Sequence, residues 1–231
     1  MKKLVLMFSL SFLMVAVHAA ENQLTDAEKA DGFQILWDGS TSKGWKSIKS
    51  DSFPAKGWEM KDGVLSVLLK GGGGDIITEQ VYSNFVLKVD FRLTKAANSG
   101  IKYFYNPKMN GGTAPEFQVL DPAHPDAEKG KNGSRKVASL YDVMPAPTAK
   151  LNPLGDWNSA MLVCKGKSVE HWLNGEKVLS FERGSPEFRA AVAQSKFSKI
   201  ANWGEAESGH ILLQDHVDNV SYRNIKIKVL K

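Results

Sequence analysis

Cysteine is almost missing from this chain of 231 residues, which has Cys164 alone and therefore no internal disulfide. Cys164 ends the apolar run 160–164, where a buried small hydrophobic side chain is expected rather than a nucleophile. Long runs of one charge are missing too, because lysines and acidic residues are interspersed through a chain of net charge +5. Without a basic run or an aromatic-basic stripe, nucleic acid is not an expected partner.

No stretch beyond residue 20 approaches the roughly 20 apolar residues that a membrane helix needs. The first 20 residues contain two lysines, an apolar stretch at 4–17 and small residues at 19–20. This stretch is too short to span a bilayer and has no stop-transfer flank, so residues 1–20 are interpreted as a signal peptide rather than a membrane anchor. We therefore expect a periplasmic or secreted protein with one domain at 21–231 and no membrane partner once the signal peptide is removed.

Helical periodicity is also scarce, whereas alternation with a period of two recurs along the chain. In Phe85–Leu93 the apolar residues fall on one face and Lys88, Asp90 and Arg92 on the other, as in a strand with one buried side. Gly, Asn, Asp and Pro separate such runs, which favours antiparallel pairing over strand–helix–strand units. Further strands are predicted at 63–69, 99–105, 116–120, 159–164, 168–173, 176–181, 210–214 and 221–230.

Two local signals add a hairpin and a helix to these strands. Asn174-Gly175 readily supplies the positive φ angles of a tight turn and predicts a hairpin over 171–178. Only 186–197 has a helical pattern, with Ser185 as its cap. About ten strands and one short helix predict an all-β sandwich of two antiparallel sheets.

Two loops differ from the rest in composition or length. Residues 70–74 are very rich in glycine, and residues 121–139 form a long polar connection. A connection of that length is either a binding loop or a solvated surface excursion, and the sequence leaves both interpretations open.

Polar side chains share the outward faces of several predicted strands. In 116–120 the apolar residues should face the core, which sends Glu116 and Gln118 together to the other side. Lys102 and Arg92 are outward-facing cations on two further strands. If one sheet face carried all four, it would combine a carboxylate, an amide and two cations.

Two histidines extend this set. His210, Gln214 and His216 fall on one side of the strand that begins at residue 210, and Leu212 interrupts that polar side. Carboxylate, imidazole, amide and cation together suit sugar hydroxyls, which need paired donors and acceptors, and could support proton transfer. The alternative interpretation is an ordinary solvated face.

Six tryptophans are present, and five of them fall into two groups. Trp157 and Trp203 lie in predicted loops beside Asn158 and Asn202, where an indole could stack on a sugar ring. Core or hairpin packing is expected for Trp37, Trp45 and Trp58.

A set of short segments lies in one order across nearly the whole chain beyond residue 20. They include Phe-Gln-Ile-Leu-Trp-Asp-Gly at 33–39, Glu-Phe-Gln-Val-Leu-Asp at 116–121 and Gly-His-Ile-Leu-Leu-Gln-Asp-His at 209–216. The others are 44–45, 74–78, 84–87, 91–93, 98–101, 157–158, 172–175 and 222–227. The ordered set resembles the 3-keto-disaccharide hydrolase domain family. The resemblance implies a concanavalin A-like jelly roll and an enzyme for glycosides oxidised at C3 of a glucose unit.

The implied reaction indicates which side chains to expect. A ketone at C3 acidifies the proton on C2, so a base can remove it, the enolate expels the C1 substituent, and water then adds. The site needs a base, a donor for the enolate oxygen and an acid for the leaving oxygen. The candidates in this hypothesis are Glu116 or His210 as base, Lys102 or Arg92 as enolate stabiliser, and His216 or Asp121 as acid. The expected substrate-binding residues are Gln118, Gln214, Asn158, Trp157, Asn98 and Tyr103.

Three alternatives remain beside this hypothesis. A divalent metal held by Glu116, Asp121 and a histidine could replace the cation, although nothing in the spacing of these residues demands a cofactor. A non-catalytic carbohydrate-binding domain would present much the same outward faces. An ordinary β-glucanase is disfavoured because the string Glu-x-Asp-x-x-Glu is absent from the chain. The odd spacing of Glu116 and Asp121 would place that carboxylate pair on opposite faces of a straight strand.

Overall fold

A computed structural model describes residues 21–109 and 112–231 of the chain. The strands are β1 Gln34–Ile35, β2 Trp45–Ser47, β3 Trp58–Lys61, β4 Val64–Val67, β5 Ile76–Thr78, β6 Phe85–Leu93, β7 Asn98–Tyr105, β8 Glu116–Leu120, β9 Asn158–Lys165, β10 Ser168–Leu173, β11 Glu176–Glu182, β12 His210–Leu213 and β13 Val220–Val229. The α-helices are α1 Asp26–Ala30 and α2 Pro186–Ala193, and 3-10 turns cover Pro125–Glu128 and Lys131–Gly133.

The described strands form two antiparallel sheets. One sheet has eight strands in the order β11-β10-β9-β6-β13-β4-β3, with β1 also paired to β13, and the other has five in the order β2-β5-β12-β7-β8. Neighbours in each sheet are often far apart in sequence, because the chain crosses repeatedly from one sheet to the other. The architecture is an all-β jelly-roll sandwich of the concanavalin A-like kind, as predicted.

The hydrophobic core lies between the two sheets. The alternation predicted for β6 is confirmed, because its five apolar side chains are buried and the residues between them are only partly buried. Phe91 of the larger sheet packs edge-on against Phe117 of the smaller one, with ring centroids 6.4 Å apart. Cys164 and the three tryptophans expected in the core are buried. Burial raises the pKa of the Cys164 thiol, which fits a packing role rather than a nucleophile.

The predicted local signals are largely confirmed. Asn174 and Gly175 adopt φ of 51° and 85° and join β10 to β11. The predicted helix begins with Ser185 as its cap, whose hydroxyl accepts the Phe188 N–H, but α2 ends at Ala193 rather than at residue 197. The expectation of one helix is wrong, since α1 also forms, with a capping box in which Thr25 and Glu28 satisfy each other's backbone N–H groups.

The long loop 121–139 does not extend into solvent but returns along the free edge of β8. The Ala138 N–H donates to the Gln118 carbonyl (2.8 Å), and the Gln118 N–H donates to the Ser139 carbonyl (3.1 Å). The Tyr141 N–H then donates to the Glu116 carbonyl (3.0 Å). All five residues of β8 are buried as a result, although this strand lies at the edge of its sheet.

The predicted signal peptide, residues 1–20, lies outside the described residues. In the part of the chain that is described, none of the helices has the length and apolar character needed to cross a bilayer.

Candidate active site

A cavity of about 130 Å³ opens on the outer face of the five-stranded sheet. It is lined by Asn98, Lys102, Thr113, Ala114, Glu116, Gln118, Tyr141, Lys196, Phe197, Gln214 and His216. Six of these are predicted site residues, and the strand register explains their convergence. Lys102 of β7 is paired with Glu116 of β8, and Gly100 with Gln118, so their outward side chains share one face.

Glu116 is the most deeply placed acid of the cavity. Its side chain is 6% exposed and lies over Gly100, where an added Cβ would collide with the carboxylate. Glycine at this position therefore gives the Glu116 carboxylate room to lie flat on the sheet. Burial raises the pKa of Glu116 from 4.5 to about 7, although the positive charges of Lys102 and Lys196 oppose the rise. An acid with this pKa can both accept and release a proton near neutral pH.

Two lysines supply positive charge around Glu116. Lys102 Nζ lies 3.7 Å from Asp75 Oδ2, and the Asp215 N–H donates to the same carboxylate (2.9 Å). Burial nevertheless raises the pKa of Asp75, and the charge of Lys102 opposes that rise. Lys196 approaches from the chain after α2, and its Nζ lies 4.2 Å from the centroid of the Tyr141 ring. Partial removal from water lowers the pKa of Lys196, with Glu116 as the main opposing charge.

An amide pair completes the polar wall. Gln118 Nε2 donates to Asn98 Oδ1 (3.0 Å), and both side chains are buried. Gln118 Oε1 is buried and accepts no hydrogen bond from the described residues. A buried acceptor without a donor is costly, so this oxygen is suited to a hydroxyl brought by a ligand.

Three site residues were not predicted from the sequence. Asp75 follows the glycine-rich loop and belongs to segment 74–78, one of those that carried the family resemblance. That resemblance could have identified Asp75 as a site residue. Tyr141 comes directly after the long loop 121–139, and burial raises its pKa to about 12. Lys196 has no sequence signal, because only the tertiary path of the chain after α2 brings it to the cavity.

Three predicted site residues lie at the other sheet and not in this cavity, so placing them in this site was wrong. Arg92 and Asn158 are on strands of that sheet, and Trp157 directly precedes β9. Arg92 is on β6 of the eight-stranded sheet, with its guanidinium carbon 4.7 Å from the Trp157 ring centroid. Arg223 covers the same indole at 4.1 Å. Asn158 Oδ1 accepts from the Asn152 N–H (2.8 Å) and from Asn174 Nδ2 (3.0 Å), which is a structural role. Alternation predicts correctly that Arg92 faces outward but does not say from which sheet.

Three further predicted residues are held by local structure and do not line the cavity. Tyr103 points into the core, where its hydroxyl pairs with His171 Nε2 (2.9 Å). The Asp121 carboxylate accepts from the N–H groups of Ala96 (2.9 Å) and Ala123 (3.0 Å), so the predicted metal set of Glu116, Asp121 and a histidine does not assemble. His210 Nδ1 donates to the Thr78 carbonyl (2.7 Å) beside the β12 register shift.

The expectation that the Trp203 indole stacks on a sugar is also wrong. Trp203 is 2% exposed and stacks on Phe197 with ring centroids 4.1 Å apart. Its Nε1 donates to Thr113 Oγ1 (2.9 Å), and Phe188 stacks on its other side. This stack supports the cavity wall, to which Phe197 and Thr113 both contribute.

A jelly roll whose sheet face carries a buried carboxyl, two lysines and paired amides offers the donors and acceptors that sugar hydroxyls need. Residues 32–228 match the family described as the 3-keto-alpha-glucoside-1,2-lyase-like domain, and the chain belongs to that family. A 3-keto-disaccharide hydrolase of Bacteroides thetaiotaomicron is 36% identical over 232 residues, covering 87% of this chain and 79% of that protein. Membership of this family supports glycoside hydrolysis as the class of activity.

Two solved structures from Parabacteroides distasonis, both described as glycosyl hydrolase-like, are similar in fold and sequence. One has a TM-score of 0.81 at 36% identity, covering 92% of this chain and 100% of that chain. The other has a TM-score of 0.60 at 26% identity, covering 80% and 99% respectively.

Proposed function

We propose that this protein cleaves the glycosidic bond of 3-keto-glucosides, including 3-keto-disaccharides, by elimination across C1–C2 followed by addition of water. The observation that carries the proposal is the Glu116 carboxyl, buried between two lysines with a pKa raised to about 7. A plain binding face does not need a carboxyl that is half ionised near neutral pH, whereas proton transfer does. The relative from Bacteroides thetaiotaomicron, named as a hydrolase of 3-keto-disaccharides, supports this substrate class.

In the first step the ionised Glu116 removes the C2 proton, and the C2–H electron pair forms the C2=C3 double bond of an enolate. The charge that develops on the C3 oxygen is stabilised by the ammonium group of Lys102, which Asp75 holds at the cavity wall. The buried acceptor Gln118 Oε1 and the amide of Asn98 bind sugar hydroxyls and hold the ring over Glu116.

In the second step the enolate reforms the C3 ketone, a C1=C2 double bond forms, and the C1–O bond breaks. The leaving oxygen takes a proton from Lys196, whose lowered pKa favours donation, or from the neighbouring Tyr141 hydroxyl. Water then adds its hydroxide to C1, and the proton of that water returns to whichever of Lys196 and Tyr141 protonated the leaving oxygen. Glu116 gives its proton back to C2, so that the net reaction is hydrolysis.

The test compares oxidised and unoxidised substrates. The purified protein is mixed with the 4-nitrophenyl 3-keto-glucosides of both anomers and with the parent 4-nitrophenyl glucosides. We expect release of nitrophenol from a keto substrate only. Glu116→Gln should lower kcat by roughly a hundredfold or more, as expected for loss of a general base. Glu79→Gln, on the exposed turn after β5, is the matched control. Binding of the parent glucoside without turnover of either form would instead support a carbohydrate-binding domain.

We also propose that residues 1–20 direct export and are removed. Cell fractionation followed by mass spectrometry of the intact protein should find a chain that begins near residue 21 outside the cytoplasm. An intact N-terminus on a cytoplasmic protein would contradict this.

A further inference from the structure

Three side chains, one of which lines the cavity, lie close enough together to share one ion. They are His124 from the long loop 121–139, and His216 and Asp218 from the segment after β12. One ligand atom from each lies within 4.8 Å of the other two. Among the described residues, no other group of three histidine, cysteine or carboxylate side chains meets this condition. His216 also lines the cavity, so an ion held here would stand at its wall.

The ligand set and its surroundings suit a divalent transition metal. Two imidazoles and one carboxylate are a common ligand set for Zn²⁺, Mn²⁺, Fe²⁺ and Co²⁺, and they leave coordination positions open. Val217, between two of the ligands, has φ of 63°, which is rare for a β-branched residue, and His216 Nδ1 lies 3.8 Å from Asp218 Oδ2. The Asn98 N–H donates to Asp218 Oδ2 (3.0 Å) and orients this carboxylate, as supporting groups do around metal ligands.

Metal binding would break one hydrogen bond, which His124 makes to the backbone. Its Nδ1 accepts the Asp126 N–H (3.0 Å), which places the proton of the neutral ring on Nε2. A cation bound through either ring nitrogen has to replace this hydrogen bond at the start of the 3-10 turn Pro125–Glu128. The ion would therefore be exchangeable, in contrast to a permanently closed structural site.

We propose that His124, His216 and Asp218 bind one divalent transition metal that ties the long loop to the end of β12. The loop leads directly into Tyr141 at the cavity, so the ion would hold one wall of the site in place. Its open positions would accept sugar oxygens; this last point alone rests on the proposed function, and the binding itself does not.

The test measures metal binding without substrate. The protein, purified without a histidine tag and treated with a chelator, is titrated with Co²⁺ and followed by its visible absorption, and with Zn²⁺ followed by calorimetry. We expect one ion per chain. His124→Ala and His216→Ala should each weaken binding by roughly tenfold or more. His210→Ala is the matched control, because His210 begins β12, six residues before His216, and lies outside the cluster, so this variant should bind the metal normally.

The outcomes are decisive in both directions. Circular dichroism of each variant establishes that it is folded, and Asp218→Asn, which keeps the shape of the side chain, should also weaken binding. Absence of one-to-one binding, or equal binding by the wild type and both histidine variants, would overturn the proposal. Since Glu116→Gln leaves all three ligands intact, it should bind the metal normally even though it is inactive, which separates failure of this site from failure of the proposed function.

Discussion

The raised pKa of Glu116 predicts a stability change with pH that one substitution should remove. A pKa of about 7 in the folded protein against 4.5 in the unfolded chain means that the fold prefers the protonated acid. Between those two values the folded protein holds a proton that the unfolded chain has released, so stability falls as pH rises from 4.5 and levels off above 7. At about 1.4 kcal/mol for each unit of pKa, the loss amounts to about 3 kcal/mol.

Glu116→Gln replaces the acid with a neutral side chain of the same shape, which cannot ionise. The free energy of unfolding of the variant and the wild type is measured by urea denaturation at pH 4.5, 6, 7 and 8.5. Relative to the wild type, the free energy of unfolding of the variant should increase as pH rises, by about 3 kcal/mol at pH 8.5, while the activity of the variant is lost. Glu79→Gln on the surface serves as the control. A difference between variant and wild type that stays constant over this range would refute the reasoning, because Glu116 would then ionise as freely in the fold as in the unfolded chain.

Three more predictions follow from the structure. Gly100→Ala should push the Glu116 carboxylate off the sheet and lower kcat by roughly tenfold or more, with little change in Tm. Steady-state kinetics and calorimetry measure the two effects, and full activity would show that the carboxylate has room beside an alanine. Burial lowers the pKa of His171 from 6.5 to about 4, so the free energy of unfolding should fall by about 3 kcal/mol as pH drops from 6.5 to 4. In urea denaturation, His171→Gln should show a smaller fall over the same pH range. Arg92→Ala should leave kcat/KM within about twofold of the wild-type value, because Arg92 lies on the other sheet. The lost contact with Trp157 should lower the free energy of unfolding by roughly 1 kcal/mol. A large loss of activity would contradict the assignment of Arg92 to a position outside the active site.

The period-two pattern predicts the long strands well, because each has one buried face. In β6 and β8 it correctly assigns which side chains point inward, and this is why Glu116 and Gln118 reach the cavity. The short strands β1, β2, β3 and β5 were not predicted, because two to four residues are too few to show the pattern. They form by pairing with neighbouring strands.

Sheet membership is the part that alternation does not encode. Arg92 and Lys102 look alike in sequence, as outward cations on amphipathic strands, yet they lie on opposite sheets. Lys196 reaches the cavity through the packing of the Trp203 stack, which depends on side chains far apart in the chain. Such convergence follows from topology, which the alternation of residues along a strand does not encode.

The segment that runs along β8 also bears on association between copies of this protein. An uncovered edge strand offers unpaired N–H and C=O groups to any extended chain that approaches. Here the strand that bears Glu116 is at the end of its sheet, and residues 138–141 occupy its open side. Shortening the loop would thus leave an uncovered edge strand with unpaired N–H and C=O groups, and it would also remove Tyr141 from the cavity. The same stretch of chain therefore both covers the edge of the sheet and builds one wall of the cavity.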